Sequence, residues 1–413
     1  MPLELTANQN NAVTLSTKSK RLIVTGGAGS GKTTVIRSII EKNWDKQVCL
    51  CAPTGKAAAR VREATAHDAS TVHSACGLFP GEAGEYQSTQ NKVPPIALAD
   101  LVIIDEASML DSALLAAVVR KMNPAATLIL VGDPYQLPPV GSGYPFRDLV
   151  NSKKVSHVHL EVCHRQTGKL LENCYSILDG GSPDVFVDAG KAEYKSVDWS
   201  FIPVGDDGIQ TVVARLFEKD VAETVFDVKI ENSIVLTPLN RGPYGRIALN
   251  RVAQRSYHTS RGRVAPVYES EEKGFDKFIP GDRVIWTKNN KDVGLVNGDV
   301  GTVLSVGDRD IRIAFDGIGD KTVTVSGSPL QLAFVLTCHK AQGSQYDKAF
   351  VVVAGAHVNK FLEGIVNRSW AYTAFTRSKR GSFAIGSTSA LAKIIEKPNV
   401  DKRVTVISVK SAS

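Results

Sequence analysis

No apolar run in this 413-residue sequence approaches the roughly 18–20 residues that a membrane-crossing helix needs; the longest, around residues 349–356, stops well short. No membrane span is expected. The amino terminus, MPLELTANQN, has no basic segment followed by an apolar stretch, so no secretory signal is expected either. Cysteine is scarce: Cys49, Cys51, Cys76, Cys163, Cys174 and Cys338 form no CxxC pair and are too few to staple a chain this long. That excludes a disulfide framework and suits a reducing, cytoplasmic setting. There is no repeat of about 20–50 residues and no low-complexity tract, which excludes a solenoid and a disordered chain.

What is present is an ordinary globular composition, 43% hydrophobic and 22% charged, over a length that calls for two or three domains. Lys plus Arg (49) exceed Asp plus Glu (42), for a net charge of +7. Such a balance favours a polyanionic partner without proving one.

Short runs rich in Val, Ile and Leu alternate with helix-like segments: RLIVT (21–25), VCLCA (48–52), LVIID (101–105) and TLILVGD (127–133). The alternation predicts an α/β fold with a parallel sheet. A second set, SIVLTP (233–238), LAFVLT (332–337), AFVVVA (349–354) and SFAIG (382–386), predicts a second α/β domain of similar build. Between them, residues 280–327 alternate apolar and polar positions punctuated by Gly, Asn and Asp, which predicts a small antiparallel barrel inserted into the second domain. A turn-rich stretch, 77–95, predicts a hairpin protruding from the first.

Gly26-Gly27-Ala28-Gly29-Ser30-Gly31-Lys32-Thr33 matches GxxxxGK[ST] between an apolar strand and a helix-like segment beginning at Thr33 and Thr34. In that context glycine amides wrap phosphate oxygens, Lys32 reaches the β- and γ-phosphates, and the Thr33 hydroxyl ligates Mg²⁺. Hydrolysis also needs a metal-holding carboxylate and a group that activates water, and LVIIDEAS supplies Asp105 and Glu106 at a strand end. Alone, that pair also suits a solvated turn; with the phosphate loop upstream the two features need each other. Gln136, in GDPYQLPPV, sits where an amide can sense a γ-phosphate, and Arg165 and Arg377 are cations that can meet the developing charge.

As an ordered set, LTANQ (5–9), GGAGSGKTT (26–34), APTGKAA (52–58), STVHS (70–74), DEAS (105–108), GDPYQLPPV (132–140), CHRQ (163–166), VLTPLNRGPYGRIALN (235–250), VLTCHKAQGSQYD (335–347) and AYTAFTRSKR (371–380) resemble the motifs of superfamily 1 helicases. The branch resembled is the 5′→3′ RecD/Dda-like one, 1B, in the compact form that phages also encode. The resemblance implies two RecA-like domains, the first over 1–166 with 77–95 as a pin-like insertion, a connecting segment over 167–230, and the second over 231–272 and 328–413. An SH3-like insertion would occupy 273–327. It implies ATP and Mg²⁺ as cofactors, bound between the two domains, with Gln9 at the adenine. It also implies that Pro53, Thr54, Lys56, Thr71 and His73 contact single-stranded DNA from the first domain, and Thr337, His339 and Lys340 from the second.

The expected activity is ATP-driven 5′→3′ translocation with duplex unwinding. An ATP-driven translocase or clamp that remodels protein–DNA complexes remains the other reading, since the motifs do not separate translocation from unwinding. Expected partners are single-stranded DNA, single-strand/duplex junctions, and single-strand-binding or replication and recombination proteins. A monomer is expected because both halves of the composite ATP site appear in one chain. The sequence opens at the first motor motif, so the long amino-terminal extension of some relatives is not expected, nor is a nuclease.

Overall fold

A computed structural model describes residues 4–80, 86–88, 93–161, 168–181, 194–195, 197–268, 276–290, 292–324, 328–362 and 364–398. They fall into two compact units, 4–161 and 168–398 of the described set.

In the first unit the strands are β1 (Arg21–Gly26), β2 (Val48–Ala52), β3 (Ala69–Thr71), the short pair β4 (Leu78–Pro80) and β5 (Tyr86–Ser88), then β6 (Leu101–Ile104), β7 (Thr127–Gly132) and β8 (Ser156–Leu160). Six of them form one sheet, ordered β3-β2-β6-β7-β1-β8, with every neighbouring pair parallel. Side chains alternate across it. Leu22, Val24, Leu50, Leu101, Ile103 and Ile129 enter one core, shared with Ala12 of helix α1 (Ala7–Lys18) and with Val35, Ile36 and Ile39 of α2 (Lys32–Lys42). Ile23, Cys49, Cys51, Val102, Ile104 and Leu128 enter the opposite core, with Leu114 and Val118 of helix Ser112–Lys121. Burial on both faces is why these strands read as continuous apolar runs. β4 and β5 pair antiparallel, Leu78 opposite Ser88. The residues that join them, 81–85, lie outside the described residues, as do 89–92.

The second unit holds β9 (Trp199–Pro203), β10 (Ser233–Thr237), β11 (Arg283–Trp286), β12 (Val300–Val306), β13 (Asp310–Phe315), β14 (Gly319–Thr324), β15 (Leu330–Leu332), β16 (Val335–Thr337), β17 (Tyr346–Val353) and β18 (Ser378–Gly386). A parallel sheet runs β16-β10-β17-β18-β9, and a separate antiparallel sheet runs β14-β13-β12-β11-β15. The antiparallel sheet has its own core of Val284, Trp286, Leu295, Val303, Ile311, Ile313, Phe315, Val323 and Leu330.

The element boundaries differ from the sequence expectation in two places. The run LAFVLT is not one strand: Leu332 ends β15 in the antiparallel sheet, Ala333 and Phe334 turn the corner, and Val335 starts β16 in the parallel one. All of these residues are buried, so the run is continuously apolar although it crosses between two sheets. The inserted sheet accordingly extends past 327 to Leu332. Within 167–230, expected as a connecting segment of helical or mixed structure, residues 199–203 form β9, which pairs with β18 from Trp199↔Ser382 onward and closes one edge of the second parallel sheet.

Candidate functional site

The first unit carries its chemistry at the carboxyl ends of its parallel strands, where such sheets bind ligands. β1 runs into the glycine-rich loop, and α2 starts at Lys32. Gly29 and Gly31 take φ of 82° and 81°, a left-handed backbone that glycine adopts freely. Gly31 is the amino-terminal cap of α2 and has no side chain to occupy the helix's first N–H groups, which leaves them available to an anion. Ser30 Oγ donates to the Gly27 carbonyl at 2.9 Å, and Lys32 Nζ donates to the carbonyls of Gly26 and Gly27 at 2.7 and 2.8 Å. Ala28 lies within the loop, and Thr33 and Thr34 follow in the first turn of α2, both half-buried.

Gln9 approaches this loop from α1. Its Oε1 accepts from Thr6 N at 3.0 Å while Thr6 Oγ1 accepts from Gln9 N at 3.3 Å, a reciprocal cap that starts α1. Its Nε2 donates to the Ser30 carbonyl at 3.3 Å. The buried amide thus ties a helix start to the phosphate loop.

Register brings the remaining groups alongside. Thr25 of β1 pairs with Gly132 of β7, and Leu130 of β7 pairs with Ile104 of β6, so the phosphate loop, the Gln136 turn and the acid pair end three adjacent strands. Asp105 N donates to the Cys51 carbonyl and Asp105 Oδ1 accepts from Glu106 N, both at 2.9 Å. Burial first, and the Glu106 charge second, push Asp105 up to about 6, against the pull of Arg60 and Lys32. Glu106 holds a φ of 51°, costly for a side-chain-bearing residue, and its buried Oε2 has no hydrogen-bond partner among the described residues. Such a carboxylate oxygen is free to accept from a water molecule.

Gln136 is 4% exposed. Its Nε2 donates to Asp133 Oδ2 at 3.3 Å, and Asp133 Oδ1 accepts from Tyr135 N at 3.1 Å. Tyr144 Oη reaches the carbonyls of Pro134 and Gln136 at 2.9 and 2.8 Å and so braces the same turn from behind.

The residues implied for DNA lie on the other side of the acid pair. β2 and β3 pair Ala52 with Thr71, which sets Pro53, Thr54 and Lys56 beside Thr71 and His73 at one edge of the sheet. Thr54 Oγ1 accepts from Ala57 N at 3.2 Å as the cap of α3 (Gly55–Thr65), and Thr71 Oγ1 accepts from Ser74 N at 3.1 Å. Burial lowers His73, with Asp111 opposing. In the second unit Thr337 does the same at the end of edge strand β16, accepting from Lys340 N at 3.4 Å, and half-buried His339 and Lys340 lie in that turn. Arg377 is 3% exposed, with Nε donating to the Thr373 carbonyl at 2.9 Å and Nη2 to Thr376 Oγ1 at 3.4 Å. Arg165 lies outside the described residues.

Residues 4–194 match an AAA domain family, and residues 332–385 match the UvrD-like helicase C-terminal domain. The ATP-dependent RecD2 DNA helicase of Deinococcus radiodurans is 32% identical over 376 residues, 89% of this chain and 47% of that protein. The RecD subunit of the RecBCD enzyme of Mycolicibacterium smegmatis is 26% identical, over 92% of this chain and 70% of that one. Over about nine-tenths of its length the chain is similar to the RecD-type superfamily 1 helicases. It spans about half the length of the Deinococcus relative. A Pif1 helicase from Bacteroides, solved in complex with ADP-AlF3 and ssDNA, shares the fold with a TM-score of 0.57 over 92% of both chains at 20% identity. A Pif1 helicase from Candida albicans does so with a TM-score of 0.53 over 95% of this chain and 98% of that one, at 22% identity.

For this RecD-like chain the donor set fits a hard divalent cation. Thr33, Asp105 and Glu106 offer only oxygen, and among the described residues no group of three His, Cys, Asp or Glu side chains could hold a metal by itself. Waters and the phosphate oxygens of a nucleotide would complete the shell, the usual surroundings of Mg²⁺. Three contributors escape sequence reading: Arg60, Asp133 and Tyr144. Asp133 lies inside the GDPYQLPPV motif, three residues before Gln136, and could have been inferred from it; the other two act through tertiary contact. No helix among the described residues is long and apolar enough to cross a membrane.

Proposed function

We propose that this RecD-like chain is an ATP-dependent DNA helicase that moves 5′→3′ on single-stranded DNA and opens duplex ahead of it. The observation that carries the reading is the adjacency of the phosphate loop, the Gln136 turn and the acid pair at the ends of β1, β7 and β6, beside a separate cluster of DNA-type residues at the β2–β3 edge. In this reading the loop amides from Gly27 to Gly31 and Lys32 bind the β- and γ-phosphates, and Gln9 meets the adenine. Thr33 and Asp105 hold Mg²⁺, which supplies charge neutralisation on the phosphates. Glu106 takes a proton from the attacking water, Gln136 registers the γ-phosphate, and Arg165 and Arg377 stabilise the charge that develops. Pro53, Thr54, Lys56, Thr71 and His73 form one grip on the DNA backbone, and Thr337, His339 and Lys340 form the other. The antiparallel sheet of the second unit is read as an SH3-like insertion, and the β4–β5 pair as a small pin at a fork. The chain acts as a monomer in the cytoplasm, beside single-strand-binding or recombination proteins.

Steady-state ATP hydrolysis with and without oligo-dT tests the reading. Wild-type turnover rises with oligo-dT, and Lys32→Ala loses both the basal and the stimulated rate while keeping its circular dichroism spectrum. Equal turnover with and without DNA, or normal hydrolysis by Lys32→Ala, contradicts it.

A further inference from the structure

Where the inserted sheet returns to the parallel sheet, β15 and β16 are separated only by Ala333 and Phe334, and five polar side chains gather around that corner. Leu332 N donates to Asp276 Oδ2 at 2.9 Å, and the Leu332 carbonyl accepts from Arg246 Nη1 at 3.5 Å. Arg246, buried at the start of helix Arg246–Thr259, is steadied by Asn240 Oδ1, which accepts from its Nε at 3.1 Å. One residue earlier on β15, Gln331 Oε1 accepts from Lys340 Nζ. The lysine of the 335–347 motif is therefore held by a residue of the inserted sheet.

The charged groups that act on Lys340 are Arg246 from the helix and Asp276 from the segment before β11; β15 presents the neutral Gln331, and its own turn the neighbouring His339. Burial first, then the Arg246 charge, push Lys340 down to about 8, with Asp276 opposing. Two cations facing a single carboxylate leave one positive charge, which a phosphodiester matches.

We propose that Gln331 is a positioning residue for Lys340, by which the inserted sheet holds the lysine ammonium ready to receive a backbone phosphate of single-stranded DNA beside Arg246. The proposal rests on the reading of Lys340 as a DNA contact. The inserted sheet then sets the strength of a grip that belongs, in sequence, to the second parallel sheet. Docking is linked to protons: part of the lysine population is neutral near pH 8, a bound phosphate favours the charged form, and affinity falls as pH rises through that range.

The test is fluorescence anisotropy of labelled oligo-dT at fixed salt, from pH 6.5 to 9.5, on the full chain and four variants. Wild type weakens over the alkaline half of the range. Lys340→Arg stays flat, because a guanidinium does not titrate there. Gln331→Leu removes an acceptor that favours the ammonium, so the fall moves to lower pH and affinity at pH 7.5 drops about tenfold. Gln331→Glu moves the fall to higher pH, a direction that mere disruption of the corner would not produce. If Lys340→Ala weakens binding while both Gln331 variants follow the wild-type profile, the positioning role is overturned and the DNA contact stands. If Lys340→Ala binds as wild type does, the DNA contact itself fails and the proposal falls with it.

Discussion

Burial and the Glu106 charge raise Asp105 to about 6, from the 3.8 of an ordinary aspartate. Above pH 6 the folded chain carries an ionised group that its surroundings disfavour, a cost the unfolded chain does not bear. That cost fades as pH falls from about 6 towards 3.8, because the folded state then holds the proton it prefers. A shift of this size corresponds to roughly 2–3 kcal/mol. Asp105→Asn is therefore expected to raise the urea midpoint at pH 7.5, with the gain shrinking at pH 5, while ATP turnover is lost; an unchanged or lower midpoint at pH 7.5 contradicts the assignment. Ionisation is also what metal binding requires, so protons should compete with the cation: the Mg²⁺ concentration giving half-maximal turnover should rise as pH drops below about 6. These residues were legible because motif spacing alone puts a phosphate loop and an acid pair at strand ends. Arg60 and Tyr144 were not, because their contributions depend on which helix and which turn pack behind the strands.

The turn that carries Gln136 and the turn that carries Glu106 touch through a glycine. A Cβ built on Gly132 would lie 3.1 Å from the Phe146 ring and 3.1 Å from the backbone N of Ser108. Phe146 is buried and Ser108 N is backbone, so neither can give way easily. Gly132→Ala should cost about 1–3 kcal/mol as overpacking, read as a lower urea midpoint, and should reduce ATP turnover beyond the loss of folded protein by forcing the two turns apart. Full turnover per folded molecule would show that their spacing is irrelevant. The same packing logic explains which elements the sequence discloses. Interior strands such as β2 and β7 are apolar on both faces and stand out as runs. β3, β8 and β9 lie at sheet edges, and the burial of β8 alternates, with Val158 and Leu160 inward and His157 and His159 outward, so no run marks it. LAFVLT misleads for the opposite reason, since burial continues across the corner between two sheets.

At the scale of the whole chain, two units each own a parallel sheet and a hydrophobic core, and the second carries an antiparallel sheet with a core of its own. Their α/β character, the insertion and the order of the motifs could be read from the sequence, because period-two alternation and glycine-rich loops are local signals. The way the inserted sheet reaches back to Lys340 could not, because Gln331, Asp276 and Arg246 are brought together only by the fold. In the proposed function, hydrolysis at the β1–β7–β6 strand ends drives this chain 5′→3′ along DNA and into duplex. ATP-dependent unwinding of matched duplexes bearing only a 5′ or only a 3′ single-stranded tail, with Lys32→Ala as control, separates this from the alternatives. The 5′-tailed duplex should be unwound by the wild-type chain and not by the variant. Preference for the 3′ tail, or DNA-stimulated hydrolysis without strand separation on either substrate, would contradict it.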